Sequence, residues 1–202
     1  MNAFDSPLDY RLRFHVNDML LSSWGKRKVP RKVAAFIALY TGLRRQEICD
    51  LRREDVDFVR GTITVRRRKK RSKSTPIFHI IPLNPRLQEI LRERYDVGVK
   101  KYGRQASLYY VLSLKSDPIN PWSISVSFRR RVKREGLVVQ TAFGKRYLRF
   151  HDLRHLFALR MLAESGNVEV VRRVLGHANP RTTLRYLDLL PEEEIRSLFY
   201  RL

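Results

Sequence analysis

From His151 onward the chain is punctuated so closely that only short helices fit between the stops. Gly166 is followed at once by Asn167, Gly176 by Asn179-Pro180, and Pro191 comes soon after. Glycine ends a helix because it accepts the left-handed conformation there, whereas Asn, or Pro at the first helical position, opens the next one. The pattern predicts one helix from His151 to near Gly166 and a second, capped by Asn167, that stops at Gly176. A third is capped by Asn179-Pro180 and carries Tyr186. A last one starts at Pro191 with Ile195, Leu198, Phe199 and Leu202 on one side.

Upstream the signals are mixed. Ser6-Pro7 opens a helix that runs to about Ser22, and WGKRKVP is a turn or linker. Val33, Phe36, Ile37 and Tyr40 repeat at the spacing of a core-facing helix, which Thr41-Gly42 ends, and a further helix runs from about Arg44 to Leu51. TITV at 62–65 and IFHIIPL at 77–83 read as an antiparallel hairpin with a long basic turn. A helix over 84–102 opens after Asn84-Pro85. LYYVLSL at 108–114 reads as a third strand, SDPINPW as a loop, and 122–135 as a helix. The expected fold class is α+β, predominantly α-helical with a small three-stranded antiparallel sheet. At 202 residues, 43% of them apolar, the chain is long enough to bury a core as one domain with a small appendage.

Charge narrows the function. Forty-two Lys and Arg against twenty Asp and Glu give +22 at neutral pH, a balance typical of proteins that meet a polyanion, most often nucleic acid. RRRKKRSK at 66–73 and RRRVKR at 129–134 concentrate that charge beside ordered elements, as a groove tracking a phosphate backbone would require. A membrane-surface role fits poorly, because the chain has an apolar core and no long basic amphipathic anchor. The lone Cys49 excludes a disulfide framework, and no signal peptide or run of about twenty apolar residues is visible, so a cytoplasmic protein is expected.

Two short stretches carry chemistry. In FHDLRHLF, His151 and Arg154 stand three apart on one helix face, where a guanidinium fork and an imidazole suit a phosphate. A buried polar histidine beside a surface arginine is the plainer reading. His155, four on from His151, has metal-ligand spacing, yet no carboxylate or cysteine cluster accompanies it and no metal or other cofactor is expected. In TGLRRQE, Arg44 opens a helix near its positive end, Arg45 points elsewhere, and Glu47 can hold the Arg44 guanidinium.

TGLRRQE, HDLRH, LGH and a tyrosine nine residues after that histidine, in this order, resemble the tyrosine recombinase (phage integrase) family over about residues 6–190. The resemblance implies that family's catalytic fold and a DNA strand transferase that needs neither metal nor ATP. It assigns Arg44 and Arg154 as catalytic arginines, His151 and His177 as histidines, and Tyr186 as the nucleophile that forms a 3′-phosphotyrosyl link. The family's remaining residue is a lysine in the hairpin turn. That turn here offers Lys69, Lys70 and Lys73; SKSTP resembles the family's Lys-Thr variant, which selects Lys73 with Lys70 as the alternative. The implied partner is double-stranded DNA, met as a homo-oligomer, a tetramer. The organisation expected is an N-terminal helix and linker over 1–28, a catalytic domain over 29–190, and a C-terminal helix over 191–202 that either packs on its own domain or is exchanged between protomers. The family's usual N-terminal helical domain has no counterpart here. A type IB topoisomerase-like enzyme and a non-catalytic basic DNA-binding module are the alternatives.

Overall fold

The structure is a computed structural model that describes residues 12–22, 29–67, 77–103, 110–113, 117–141, 144–177 and 179–186. Its centre is helix α2 (Val29–Thr41), which follows α1 (Leu12–Leu21). Val33, Phe36 and Ile37 are buried as their spacing predicts, and Ala34, Ala35, Ala38 and Leu39 are buried too. The helix is therefore enclosed on nearly every side, because alanines let neighbouring helices approach closely. Each fully buried large side chain contributes about 1.5–3 kcal/mol. Tyr40 is only partly buried, and its hydroxyl donates to Asn17 Oδ1 at 3.2 Å, pinning α1 to α2. The short α3 (Arg45–Cys49) follows after Gly42.

A three-stranded antiparallel sheet comes next, with β1 (Val56–Asp57), β2 (Thr62–Arg67) and β3 (Ile77–Pro82) in that order. The β2–β3 hairpin is as predicted, in the register Thr62↔Pro82 to Arg67↔Ile77. Ile63, Val65 and Ile81 face the core while Phe78 and Ile80 face outward, the alternation a half-buried sheet demands. Its turn, residues 68–76 with Lys69, Lys70 and Lys73, lies outside the described residues.

The third strand is not the one expected. Val56–Asp57 occupies that position, whereas in 110–113 only Tyr110 makes an isolated bridge, to Arg52. Val111 and Leu112 are buried, as their apolar character requires. Their backbone groups have other partners, however. Val111 N donates to Leu51 O at 3.0 Å, and the Arg94 guanidinium donates to the carbonyls of Val111 and Leu112. A half-buried guanidinium does here what a neighbouring strand would do, and an apolar run cannot reveal that.

Helices α4 (Pro85–Tyr102) and α5 (Pro121–Arg134) open on Asn84 and Asn120, whose side chains accept from Arg86 N and Trp122 N, each at 2.9 Å. A two-stranded hairpin of β4 (Val138–Thr141) and β5 (Gly144–Tyr147) follows, which the sequence reading missed. The last described part is helical: α6 (Asp152–Ser165), α7 (Val168–Leu175) and α8 (Arg181–Leu184). Gly166 and Gly176 end α6 and α7 in the left-handed conformation, and Asn167 caps α7. Tyr186 lies just past α8 rather than within it, in a turn where its N–H donates to Thr183 O at 3.0 Å. The helix predicted from Ser6-Pro7 is described only from Leu12, and the one predicted from Pro191 lies outside the described residues.

Gly42 is where α2, α6 and α7 meet. Its φ is +65°, and a Cβ there would lie 2.5 Å from Phe157 Cδ1 and 2.7 Å from Leu175 Cδ2. Gly61 has a similar φ of +62° but meets only Gln88 Oε1, at 3.7 Å. Gly42→Ala is expected to cost roughly 2–4 kcal/mol, conformational strain plus overpacking, and Gly61→Ala only about 1 kcal/mol. Urea unfolding midpoints of the two variants check this.

Candidate active site

The site is built around a buried guanidinium. Arg154, on the first turn of α6, is 3% exposed. Its Nη1 donates to Gly42 O and its Nη2 to Leu175 O at 2.8 Å. Both acceptors are carbonyls at helix ends, which have no partner within their own helix. One side chain thus ties the α2–α3 turn to the end of α7.

That tie brings Arg44 into the same region. Arg44 caps α3, and Glu47 holds it twice, accepting from the Arg44 backbone N–H at 2.7 Å and from Nη1 at 3.0 Å. The arginine stays largely exposed, with 45% of its side chain accessible against 12% for Glu47. Arg45 is turned away and donates to Ser125 Oγ on α5.

Three histidines and the tyrosine complete the cluster. His151 caps α6 and its ring meets His155 edge-on at 4.9 Å. His155 Nδ1 lies 2.9 Å from the Tyr186 hydroxyl, with both residues buried. His177, in the turn after α7, is stacked nearly parallel to the Tyr186 ring at 10° and 6.4 Å. Its Nδ1 is 2.9 Å from Thr183 Oγ1, which fixes the imidazole from that side, and its carbonyl accepts from Arg172 Nη1 at 3.0 Å. The start of α6 is held by the β4–β5 hairpin: Arg146 on β5 forks onto both Asp152 oxygens at 2.7 and 3.0 Å, and Arg149 N donates to Asp152 as well.

The electrostatics are those of a desolvated pocket beside two cations. Burial pushes the Tyr186 phenol up to about 12, against the opposing pull of Arg154 and then Arg44. Burial, then His151, brings His155 down to about 4, so it is neutral at pH 7. His151 is exposed as a residue, yet desolvation of its ring followed by the charge of Arg154 also lowers it. The charges of Arg154 and Arg44 both reach this phenol.

The sequence pattern of the phage integrase family matches residues 11–193. The chain belongs to the phage integrase family. It is 25% identical over 186 residues to a tyrosine recombinase of Thermosipho africanus, covering 92% of this chain and 59% of that protein. To the XerA tyrosine recombinase of Pyrococcus furiosus it is 29% identical over 168 residues, covering 80% of this chain and 51% of that protein. The chain therefore spans between half and three fifths of these relatives' length. Among solved structures it is similar to an XerA recombinase, with a TM-score of 0.63 and 22% identity over 89% of this chain and 64% of that one. It also matches the Tn1549 transposon integrase in complex with transposon right-end DNA, with a TM-score of 0.70 and 19% identity over 100% of this chain and 67% of that one. At these identities the likeness establishes the tyrosine recombinase fold.

Of the residues the sequence singled out, this integrase-family fold brings Arg44, His151, Arg154, His177 and Tyr186 together; Lys73 falls outside the described residues. The plainer reading of His151 and Arg154 is reversed in detail, since Arg154 is buried and His151 is exposed. Three partners were missed. His155 was weighed only as a metal ligand, although it is the residue that touches the phenol. Thr183 and Asp152 lie inside the motifs, but nothing in their spacing tells what they support. Among the described residues no group of three His, Cys, Asp or Glu could hold a metal, and no helix is long and apolar enough to cross a membrane.

His155 sets a pH dependence. Its folded pKa of about 4 lies below the ordinary imidazole value of 6.5, so the unfolded chain binds the proton more readily. The stability present above pH 6.5 is lost as pH falls toward 4, by on the order of 3 kcal/mol, and His151 adds in the same direction. Urea unfolding across this range is expected to show the loss, and a smaller one in His155→Gln, which has no titrating ring.

Proposed function

We propose that this chain carries out the DNA cleavage and rejoining steps of a site-specific recombinase or integrase. The observation behind this reading is the Tyr186 phenol held between His155 and His177, on segments that the Arg154 guanidinium ties together and within reach of the Arg154 and Arg44 charges. A phosphodiester repels a nucleophile by its charge. Two guanidinium groups on the non-bridging oxygens offset that charge as it grows in the transition state, and such preorganised stabilisation is commonly the largest catalytic contribution. His177, fixed by Thr183, adds a hydrogen bond to a phosphate oxygen.

In the step itself the Tyr186 Oη–P bond forms as the P–O5′ bond breaks. His151, exposed and kept neutral, takes up the phenol proton, and Lys73 of the hairpin turn protonates the departing 5′ oxygen. The 3′-phosphotyrosyl link conserves the energy of the broken bond, so a 5′ hydroxyl of a second DNA end can attack it and restore the backbone without ATP or metal. The basic runs at 66–73 and 129–134 supply contacts to backbone phosphates. Strand exchange between two duplexes requires several protomers, and a homo-tetramer on DNA is the assembly proposed.

A DNA substrate with a nick beside the scissile phosphate tests the chemistry, because loss of the short product traps the covalent intermediate. A protein–DNA adduct is expected, absent in Tyr186→Phe and reduced at least a hundredfold in Arg154→Lys, which loses the bidentate fork. An adduct that persists in Tyr186→Phe shows that the nucleophile lies elsewhere, and none in the parent chain leaves a DNA-binding module. Joining of two sites, rather than relaxation of one supercoiled circle alone, separates a recombinase from a topoisomerase-like enzyme.

Affinity for duplex DNA is expected to fall with salt, by about a thousandfold between 50 and 200 mM for some six phosphate contacts. Fluorescence anisotropy titrations at several salt concentrations measure that slope.

A further inference from the structure

The hydroxyl of Tyr186 has a partner that the proposed chemistry does not use. His155 Nδ1 sits 2.9 Å from it, across 31 residues of sequence, and the two rings are tilted by 50° at 5.8 Å. His177 covers the other side of the phenol, and the residue as a whole is 3% exposed. In-line attack needs phosphorus within about 3–3.5 Å of the phenolic oxygen, with room for its own oxygens. A phenol enclosed to this degree leaves no such room.

We infer that His155 is a positioning residue for the nucleophile: its Nδ1 accepts the Tyr186 hydroxyl and holds the phenol in a closed resting place, which it must leave before a phosphodiester can reach it. This rests on the reading of Tyr186 as the nucleophile. A buried hydroxyl needs an acceptor for its proton, and among the described residues His155 Nδ1 is the one in reach. The ring is then the tautomer with its hydrogen on Nε2. His155 does not deprotonate the phenol in place. Burial lowers the imidazole and raises the phenol, so both shifts oppose the transfer. The surrounding charges act on both partners. Arg154 of α6 and Arg44 beside α3 act on the phenol, while His151, Asp152, Arg154 and Arg146 act on the imidazole.

The test uses the full chain without DNA, labelled with 13Cζ-tyrosine, the Tyr186 resonance being the one missing in Tyr186→Phe. In the parent chain it is expected to stay unmoved through pH 10, where exposed tyrosines titrate. In His155→Phe, which keeps an aromatic ring but has no acceptor, its titration is expected at least one pH unit lower. Nitration of Tyr186 by tetranitromethane is expected to rise at least fivefold, and His155→Gln, whose amide oxygen still accepts, to lie closer to the parent. A parent Tyr186 that titrates with the exposed tyrosines overturns the inference, as does a His155→Phe variant unchanged in both readouts. Should His155→Phe not fold, the 15N imidazole spectrum of the parent decides: hydrogen on Nε2 supports the inference and hydrogen on Nδ1 overturns it. None of these readouts involves DNA. A parent chain that behaves as expected here but forms no adduct on the nicked substrate sinks the strand-transfer reading and leaves His155 as the restraint on a buried tyrosine.

Discussion

The structure depends on one buried guanidinium. Arg154 reaches the carbonyls of Gly42 and Leu175, and these belong to the two segments that carry Arg44 and His177. Removing an arginine from such a place leaves two carbonyls without these donors, a cost that hydrophobic packing does not offset. The fold and the arrangement around Tyr186 are therefore not separable properties of this chain. The group that would draw in a phosphate is also the one that keeps three elements in register.

The surrounding electrostatics follow from that choice. Burial first, and then the neighbouring positive charges, keep the histidines near it neutral. Arg44 avoids the same penalty by remaining exposed and paired with Glu47, whose side chain is largely covered. One arginine is thus fixed by backbone carbonyls and the other by a carboxylate. They differ in mobility although both act on one phenol.

Much of this was legible in the sequence, for local reasons. Helix starts and stops follow from Asn84, Asn167, Gly166 and Gly176, whose roles are settled within a turn of chain. The stripe Val33, Phe36 and Ile37 announces a buried face, and the β2–β3 hairpin shows in its β-branched runs. What stayed hidden was tertiary. Val111 and Leu112 read as a strand because their apolar pattern is the same whether a strand or Arg94 satisfies the backbone. The β4–β5 hairpin is short, and the sequence between its strands contains no Asn-Gly or Asp-Gly pair to mark it. In the site, the order of the motifs pointed to Arg44, Arg154, His177 and Tyr186. No spacing rule connects His155 to a hydroxyl 31 positions away.

The segment bearing Tyr186 has little shape of its own. Helix α8 is four residues long, far below the length at which a helix persists unaided. It stays where it is because Asn179 Oδ1 accepts from the Arg181 N–H, Thr183 meets His177, and the phenol itself is packed away. A piece of chain anchored this way behaves as a tether rather than a lever. Among the described residues, moving it severs only a few side-chain attachments, so the Tyr186 hydroxyl can shift while Arg154 keeps its hold on Gly42 and Leu175.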